Sequence, residues 1–299
     1  MRPEHVRRHL HVTAEAIENG LDIRGFYHWS LMDNFEWAEG YEQCFGLYDV
    51  DFETQERTLR ESGKLYASIA ESHRMPQVVI LAGGLGTRLG NLTKHQPKSL
   101  IEVAGQPIIS HILDWIKEQG CNRALVLTGH HGEQFDGYLH PGIDLTFVKE
   151  QQQLGTGGAL WNARDYLEDE FILLWGDDYH PIQYAPLVNL HREASSKLTM
   201  TVTAEHHGKN LQYADGRLVH YAKDGDVPKE FNGYEAGTSV VQKSVVEAFG
   251  QEGKWSWEKT VYPAMSKDIH VHIDNTKFWD MGTPERLERL EEFFNESRS

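Results

Sequence analysis

The stretch that most restricts this chain is an apolar run, Val78-Val79-Ile80-Leu81, that opens directly into Ala82-Gly83-Gly84-Leu85-Gly86-Thr87-Arg88-Leu89 and continues to Pro97-Lys98. The apolar run reads as a buried strand. Glycines behind a strand let the backbone approach a ligand closely and aim N–H groups at phosphate oxygens. Arg88 adds a forked cation suited to phosphate, and Lys98 a mobile point charge. The chain carries a formal net charge of −16, so two cations beside a glycine-rich turn make a local anion site in an acidic molecule. Two common phosphate loops do not fit. A Walker A loop ends in Gly-Lys-Ser/Thr, whereas Gly86 is followed by Thr87-Arg88. The dinucleotide fingerprint needs a glycine or alanine where Leu89 stands.

Further apolar runs follow at Ala124–Leu127, Phe171–Trp175 and Met200–Thr203, and Ile108, Ile109, Ile112, Leu113 and Ile116 recur at helical spacing. Short apolar strands separated by helical patterns predict an α/β fold with a mostly parallel sheet covered on both faces. Thr283 as N-cap and Pro284 at the first helical position predict a final helix with Leu287, Leu290 and Phe294 along one face. Its run of glutamates, Glu285 through Glu292, reads as the solvated face. A length of 299 residues suggests about two domains. The organisation changes at Ser72-His73-Arg74-Met75-Pro76: aromatic residues crowd the chain before it, and the alternating pattern follows it. The expected division is residues 1–74 and 75–299. No run approaches the roughly 18 apolar residues of a membrane span, and no apolar segment follows the basic start as a secretory signal would. Acidity argues against nucleic acid or anionic membrane as a partner. Cys44 and Cys121 form neither a metal motif nor a disulfide framework, so a reducing, cytoplasmic location is expected.

Four ordered blocks carry a resemblance. The glycine loop with Pro97-Lys98, then Gln153-Leu154-Gly155-Thr156-Gly157-Gly158-Ala159-Leu160, then the strand ending Trp175-Gly176-Asp177-Asp178, then Phe278-Trp279-Asp280-Met281-Gly282-Thr283-Pro284 resemble the signatures of the sugar-1-phosphate nucleotidyltransferases. The similarity is greatest to the short mannose- and heptose-1-phosphate guanylyltransferase-like members. It implies a doubly wound, Rossmann-like sheet and transfer of a nucleotidyl group from a nucleoside triphosphate to a sugar 1-phosphate, with GTP the first choice of nucleotide. Leu81, Ala82, Gly83, Gly84, Gly86, Thr87, Gly155 and Thr156 would bind the nucleotide. Arg88 would grip the triphosphate and Lys98 would neutralise charge at the transferred phosphate. Asp177 and Asp280 would hold Mg²⁺, with Asp178 in a supporting or surface position. On the sugar side Lys223, Glu235 and Gly237 are candidates, but the chain has Tyr221-Ala222-Lys223 where the family often has Glu-Lys, and Glu235-Ala236-Gly237 where it often has Asn-Ala-Gly. A protein that senses nucleotide or sugar phosphate without catalysis is the alternative. It would lack metal-binding or cationic residues, and all four are present. An assembly of identical copies is compatible with the sequence. His130-His131 and His206-His207 suggest a metal only superficially, since adjacent side chains in extended chain point apart, and Cys121 reads as packing.

Residues 1–74 resemble something else, the C-terminal end of family-1 β-glycosidases. Gly25 through Trp37 is similar to that family's last barrel strand and loop, Phe45 through Asp51 continues the pattern, and Arg57-Thr58, Ser62 and Tyr66 match its final helix. Glu36 and Trp37 would contact a sugar. Cys44 departs from the arginine usual there. A retaining glycosidase needs two carboxylates across the bond. Glu18-Asn19-Gly20 sits too close to the Trp29 strand to serve and reads as a helix end, and no Asn-Glu-Pro occurs. One strand and two helices of an eight-unit barrel cannot close a ring. The expectation is a partial TIM-barrel fragment without hydrolytic activity, able at most to bind carbohydrate or complete a barrel.

Overall fold

The computed structural model describes residues 2–23, 25–72, 74–206, 208–223 and 227–297. His73 of the boundary stretch and His207 of the second histidine pair lie outside the described residues. The chain divides into two compact units, Met1–Arg74 and Met75–Ser299.

The first unit contains α1 (Arg2–Glu18), a two-stranded ribbon of β1 (Tyr48–Val50) and β2 (Arg57–Leu59), and α2 (Glu61–Ser72). α1 stops as its sequence predicts: Gly20 takes a φ of 87°, and its N–H closes the last turn on the Ile17 carbonyl at 2.9 Å. The expected barrel strand and following loop over residues 25–37 contain no regular strand. Residues 30–33 exchange backbone hydrogen bonds with 45–48, including Leu47 N–H to Ser30 O at 2.9 Å and Tyr48 N–H to Leu31 O at 2.9 Å, but only an isolated bridge, Met32 to Tyr48, is formed. A barrel strand is ordered by a neighbour on each side. Here the segment has a partner along one edge only among the described residues. A polar hub replaces a core. Arg60 reaches both oxygens of buried Asp33, at 2.8 and 2.6 Å, and the carbonyls of Gly46 and Tyr48, while the Gly46 N–H donates to Asp33 at 2.9 Å. Burial alone would raise the Asp33 pKa, but these hydrogen bonds hold it below the usual carboxylate range.

The second unit runs β3 (Gln77–Ala82), a short ribbon β4 (Glu102–Val103) and β5 (Gln106–Pro107), α3 (Ile108–Glu118), β6 (Arg123–Thr128), β7 (Asp144–Lys149), α4 (Gly155–Asn162), β8 (Glu170–Trp175) and β9 (Asp178–Tyr179). It continues with α5 (Tyr184–Glu193), β10 (Leu198–Thr203), β11 (Leu211–Ala214), β12 (Arg217–Tyr221), β13 (Tyr234–Gln242), α6 (Lys243–Phe249), α7 (Trp257–Ala264), β14 (His270–Ile273), β15 (Trp279–Asp280) and α8 (Pro284–Ser297). All four apolar runs read from the sequence are strands. They belong to one nine-stranded sheet of order β11-β12-β14-β10-β13-β8-β3-β6-β7. β3 pairs in parallel with both β6 and β8, and only β12 and β13 run against the other seven strands. The sheet is α/β and mostly parallel, with a mixed half beyond β8.

Both faces are covered. Val78 and Ile80 of β3 point into a core with Ile108, Ile109, Ile112 and Ile116 of α3 and Leu290 of α8, while Val79 points the other way, into a core with Leu160 of α4 and Trp257 of α7. Alternate residues of one strand thus feed two cores, which is why the run is apolar throughout. Each such side chain contributes about 1.5–3 kcal/mol. Cys121 is part of the first core, and burial pushes its thiol up to about 12. Among the described residues no helix is long and apolar enough to cross a membrane.

Candidate active site

From β3 the chain steps to β6 and β7 on one side, then crosses to β8 on the other. Where strand order reverses this way, no crossover helix covers the carboxyl ends, and a crevice is left between β3 and β8. The ends are level, Leu81 opposite Trp175. Both loops that leave them hug the sheet: the Gly176 N–H donates to Leu81 O at 2.9 Å, and a Cβ there would lie 2.9 Å from that oxygen. A cleft of about 660 Å³ opens above this point.

The glycine loop forms one wall. Leu81, Ala82, Gly83, Gly84 and Arg88 line the cleft, and Lys98 lines it from the turn beyond. Gly86 and Thr87 are not among the lining residues. Gly86 has φ 61° and packs against Thr93, so it shapes the turn. The loop continues into 3-10 turns over Thr87–Thr93 with Gly90 out of helical geometry. Arg88 makes no hydrogen bond or ion pair among the described residues, so its guanidinium is available to a ligand. Gly155 and Thr156 line the cleft at the start of α4. Gly155 adopts φ 71°, with the Trp255 carbonyl 2.5 Å from where a Cβ would be. Thr156 has a second duty: its hydroxyl donates to Glu258 at 2.6 Å and accepts from the Trp257 N–H at 2.8 Å, tying α4 to α7.

Three aspartates converge at the centre. Asp177 follows β8, Asp178 lies in β9, and Asp280 lies in β15, where the ladder sets it directly opposite Asp178. Like charges facing each other across a ladder repel. Asp178 shows it: enclosure, and then the neighbouring Asp177 and Asp280, push its carboxyl well above the usual range. Asp178, expected in a supporting or surface position, lines the cleft. The other two are each held by a cation. Lys98 donates to Asp177 Oδ2, and Arg286 donates to Asp280 Oδ2 at 2.5 Å, while the Gly282 N–H donates to Asp280 Oδ1 at 2.8 Å. Burial raises the Asp280 pKa, but those hydrogen bonds outweigh it and lower it. Hard carboxylate oxygens in mutual repulsion fit a hard divalent cation. Mg²⁺ in particular takes one or two carboxylates together with phosphate oxygens and water. Among the described residues no group of three or more His, Cys, Asp or Glu side chains is arranged to hold a metal by itself.

Lys223, Glu235 and Gly237 line the far end with Tyr234 and Phe278, whose rings lie 5.7 Å apart and nearly parallel. Lys223 donates to Glu258, a residue the sequence did not single out. Burial would raise the Glu258 pKa, but Lys223 and Thr156 hold it down. Glu235 makes no ion pair among the described residues, although Lys223 lies near enough to oppose its upward shift. Burial and the nearby Glu258 push it up to about 7, against hydrogen bonds that include the Gly237 N–H at 3.0 Å. Gly237, at φ 77°, leaves room for the Trp175 ring, which a Cβ would approach to 2.6 Å. Glu150 is a further addition: it accepts from the Leu154 N–H at 3.0 Å, and burial raises its pKa. Its signal was an acid at the end of a strand, just before the Leu154-Gly155-Thr156 loop. Glu258 and Arg286 had none, since each sits among ordinary helix-surface charges in the sequence.

The two units match different families. Residues 1–75 match the family model for glycosyl hydrolase family 1, and residues 77–217 match that for nucleotidyl transferases. Over 224 residues the chain is 32% identical to a mannose-1-phosphate guanylyltransferase catalytic subunit beta from Drosophila pseudoobscura pseudoobscura, an alignment covering 70% of this chain and 59% of the relative. The chain thus spans about three-fifths of the length of that relative. Over 69 residues it is 51% identical to a beta-glucosidase from Agrobacterium sp., covering 23% of this chain and 15% of that enzyme. Among solved structures, HddC from Yersinia pseudotuberculosis, crystallised with GMP-PN, superposes with a TM-score of 0.64 at 25% identity, covering 74% of this chain and all of that one. Residues 76–299 therefore resemble the sugar-1-phosphate nucleotidyltransferases in sequence and fold, and residues 1–74 resemble the C-terminal end of a family-1 glycosidase.

Proposed function

We propose that residues 75–299 transfer a nucleotidyl group from a nucleoside triphosphate to a sugar 1-phosphate, releasing pyrophosphate, with GTP and a mannose or heptose 1-phosphate as the preferred pair. One observation carries this reading: the glycine loop, Arg88, Lys98 and three aspartates meet in one cleft at the switch point of the sheet. A phosphate oxygen of the sugar 1-phosphate attacks the α-phosphorus. A new P–O bond forms, the bond to the bridging α–β oxygen breaks, and pyrophosphate leaves with the electron pair. The nucleophile is already an anion, so no general base is needed. The barrier lies in aligning two anions and stabilising the charge that develops. Backbone N–H groups of Gly83 and Gly84 and the Arg88 guanidinium bind the triphosphate, and Lys98, paired with Asp177, neutralises charge at the transferred phosphate. Asp177 and Asp280 would hold Mg²⁺, which supplies charge neutralisation at the phosphates. Lys223 and the Tyr234 and Phe278 rings form the sugar end. A cytoplasmic setting suits the two unpaired cysteines.

Pyrophosphate release with Mg²⁺, screening four nucleoside triphosphates against a panel of sugar 1-phosphates, tests the reading. Release that requires one nucleotide and one sugar phosphate supports it. Nucleotide binding without release across the panel would replace it with a sensing role.

A further inference from the structure

Asp280 is held by one guanidinium group. Its Oδ1 accepts from the Gly282 N–H at 2.8 Å, and the Arg88 side chain packs near that glycine, its Nη2 3.2 Å from where a Gly282 Cβ would be. On its Oδ2 side, at 2.5 Å, is Arg286 from the first turn of α8. Asp177 likewise gives an oxygen to Lys98. Each proposed metal carboxylate is thus already occupied by a cation of the chain. The two cations differ in freedom. The Lys98 side chain is 10% exposed, whereas that of Arg286 is 52% exposed on the cleft wall.

A divalent cation coordinated at Asp280 Oδ2 would stand beside the Arg286 guanidinium. A doubly charged ion and a guanidinium at such close range repel strongly, twice as much as two unit charges would. Occupation of Oδ2 by a metal therefore expels Arg286. Its released fork needs a new anion, and Arg88 on the loop side is already placed for the triphosphate. The remaining anion is the phosphate of the second substrate. Resting on the nucleotidyl-transfer reading, we propose that Arg286 is an exchangeable counter-ion. It holds Asp280 until a divalent cation binds, and then grips the phosphate of the sugar 1-phosphate.

The test uses the full chain with Arg286→Gln and Arg286→Lys. Manganese binding without substrates, followed by the electron paramagnetic resonance signal of the free ion, reads the first half. Arg286→Gln should bind the ion more tightly, by about threefold or more, because its competitor is gone. Steady-state kinetics with GTP and mannose 1-phosphate, or the pair selected by the pyrophosphate screen, reads the second half. The KM for the sugar phosphate should rise about tenfold while that for the nucleotide stays put, with Arg286→Lys intermediate because it keeps the charge and loses the fork. Equal or weaker metal binding in Arg286→Gln would mean that Arg286 merely orders Asp280, and the proposal falls. An unchanged KM for the sugar phosphate overturns the second half. An inactive wild type would sink the nucleotidyl-transfer reading instead, and the metal measurement would still decide whether Arg286 exchanges.

Discussion

The two units of this chain reach order by different means. In residues 75–299 a nine-stranded sheet is buried on both faces, and its central strands are apolar at nearly every position. In residues 1–74 Val6 and Leu47 are the only fully buried hydrophobic side chains among the described residues, while Tyr27 is 94% and Trp37 84% exposed. Arg60 and its oxygen partners hold the second arrangement together. Close similarity to part of a barrel enzyme does not bring the barrel's core with it. The aromatic residues of a barrel strand are ordered by neighbouring strands, and this unit supplies none beyond the 45–48 segment among the described residues. Exposed aromatic area of this kind is the part of the molecule most open to association with other surfaces.

The sharpest separation of the units is functional. Asp177→Ala should lower pyrophosphate release by about 10³-fold or more with the circular dichroism spectrum unchanged. Trp37→Ala should leave release within about twofold of wild type. A strong loss in the Trp37 variant would break the comparison, because it would tie the first unit to the reaction. Next comes the polar hub. Arg60→Met leaves the Asp33 carboxylate buried and unpaired, at a cost of about 3–5 kcal/mol. Amide protection at 30–33 and 45–48 should then collapse while β3 and β8 keep theirs; parallel loss in both units would show that they are one cooperative block.

A smaller effect is expected inside the cleft. Gly237→Ala forces a left-handed residue and a clash with the Trp175 ring, for about 2 kcal/mol of destabilisation. A melting temperature within a degree of wild type would contradict it. The smallest concerns Glu235, whose folded pKa of about 7 lies above its ordinary 4.5. The folded state then binds more protons than the unfolded chain between those values, so stability falls as pH rises through the window and levels off above it. Glu235→Gln removes that loss. It should melt roughly 2–4 °C above wild type at pH 8, with the gap closing near pH 5. A gap independent of pH would assign the change to packing.

The strands of the second unit were legible because a strand covered on both faces must be apolar in succession, and such runs stand out at Val78–Leu81 and Phe171–Trp175. The reversed direction of β12 and β13 was not, because a hydrogen-bond ladder leaves little trace in the order of residues along one strand. The reading of Gly25–Trp37 as a barrel strand and its following loop carried over a pattern whose ordering neighbours are not among the described residues, so the segment bridges along a single edge. Around the cleft, Gly83, Arg88, Asp177 and Asp280 were legible because each sits in a local motif at the end of an apolar run. Glu258 and Arg286 were not, because a charged side chain's partner is chosen by chain reversal and not by sequence neighbours.

What the sequence determined by itself was therefore local: which segments are buried, where the backbone must turn through glycine, and which chemical groups stand at strand ends. The tertiary structure alone decided how those groups are paired. Lys98 meets Asp177 and Thr156 meets Glu258 across 79 and 102 residues of chain, and Arg286 reaches back from a helix to Asp280. Burial follows from composition summed over a few residues. An ion pair depends on the positions of two atoms, which are known only once the strands between them have been put in order.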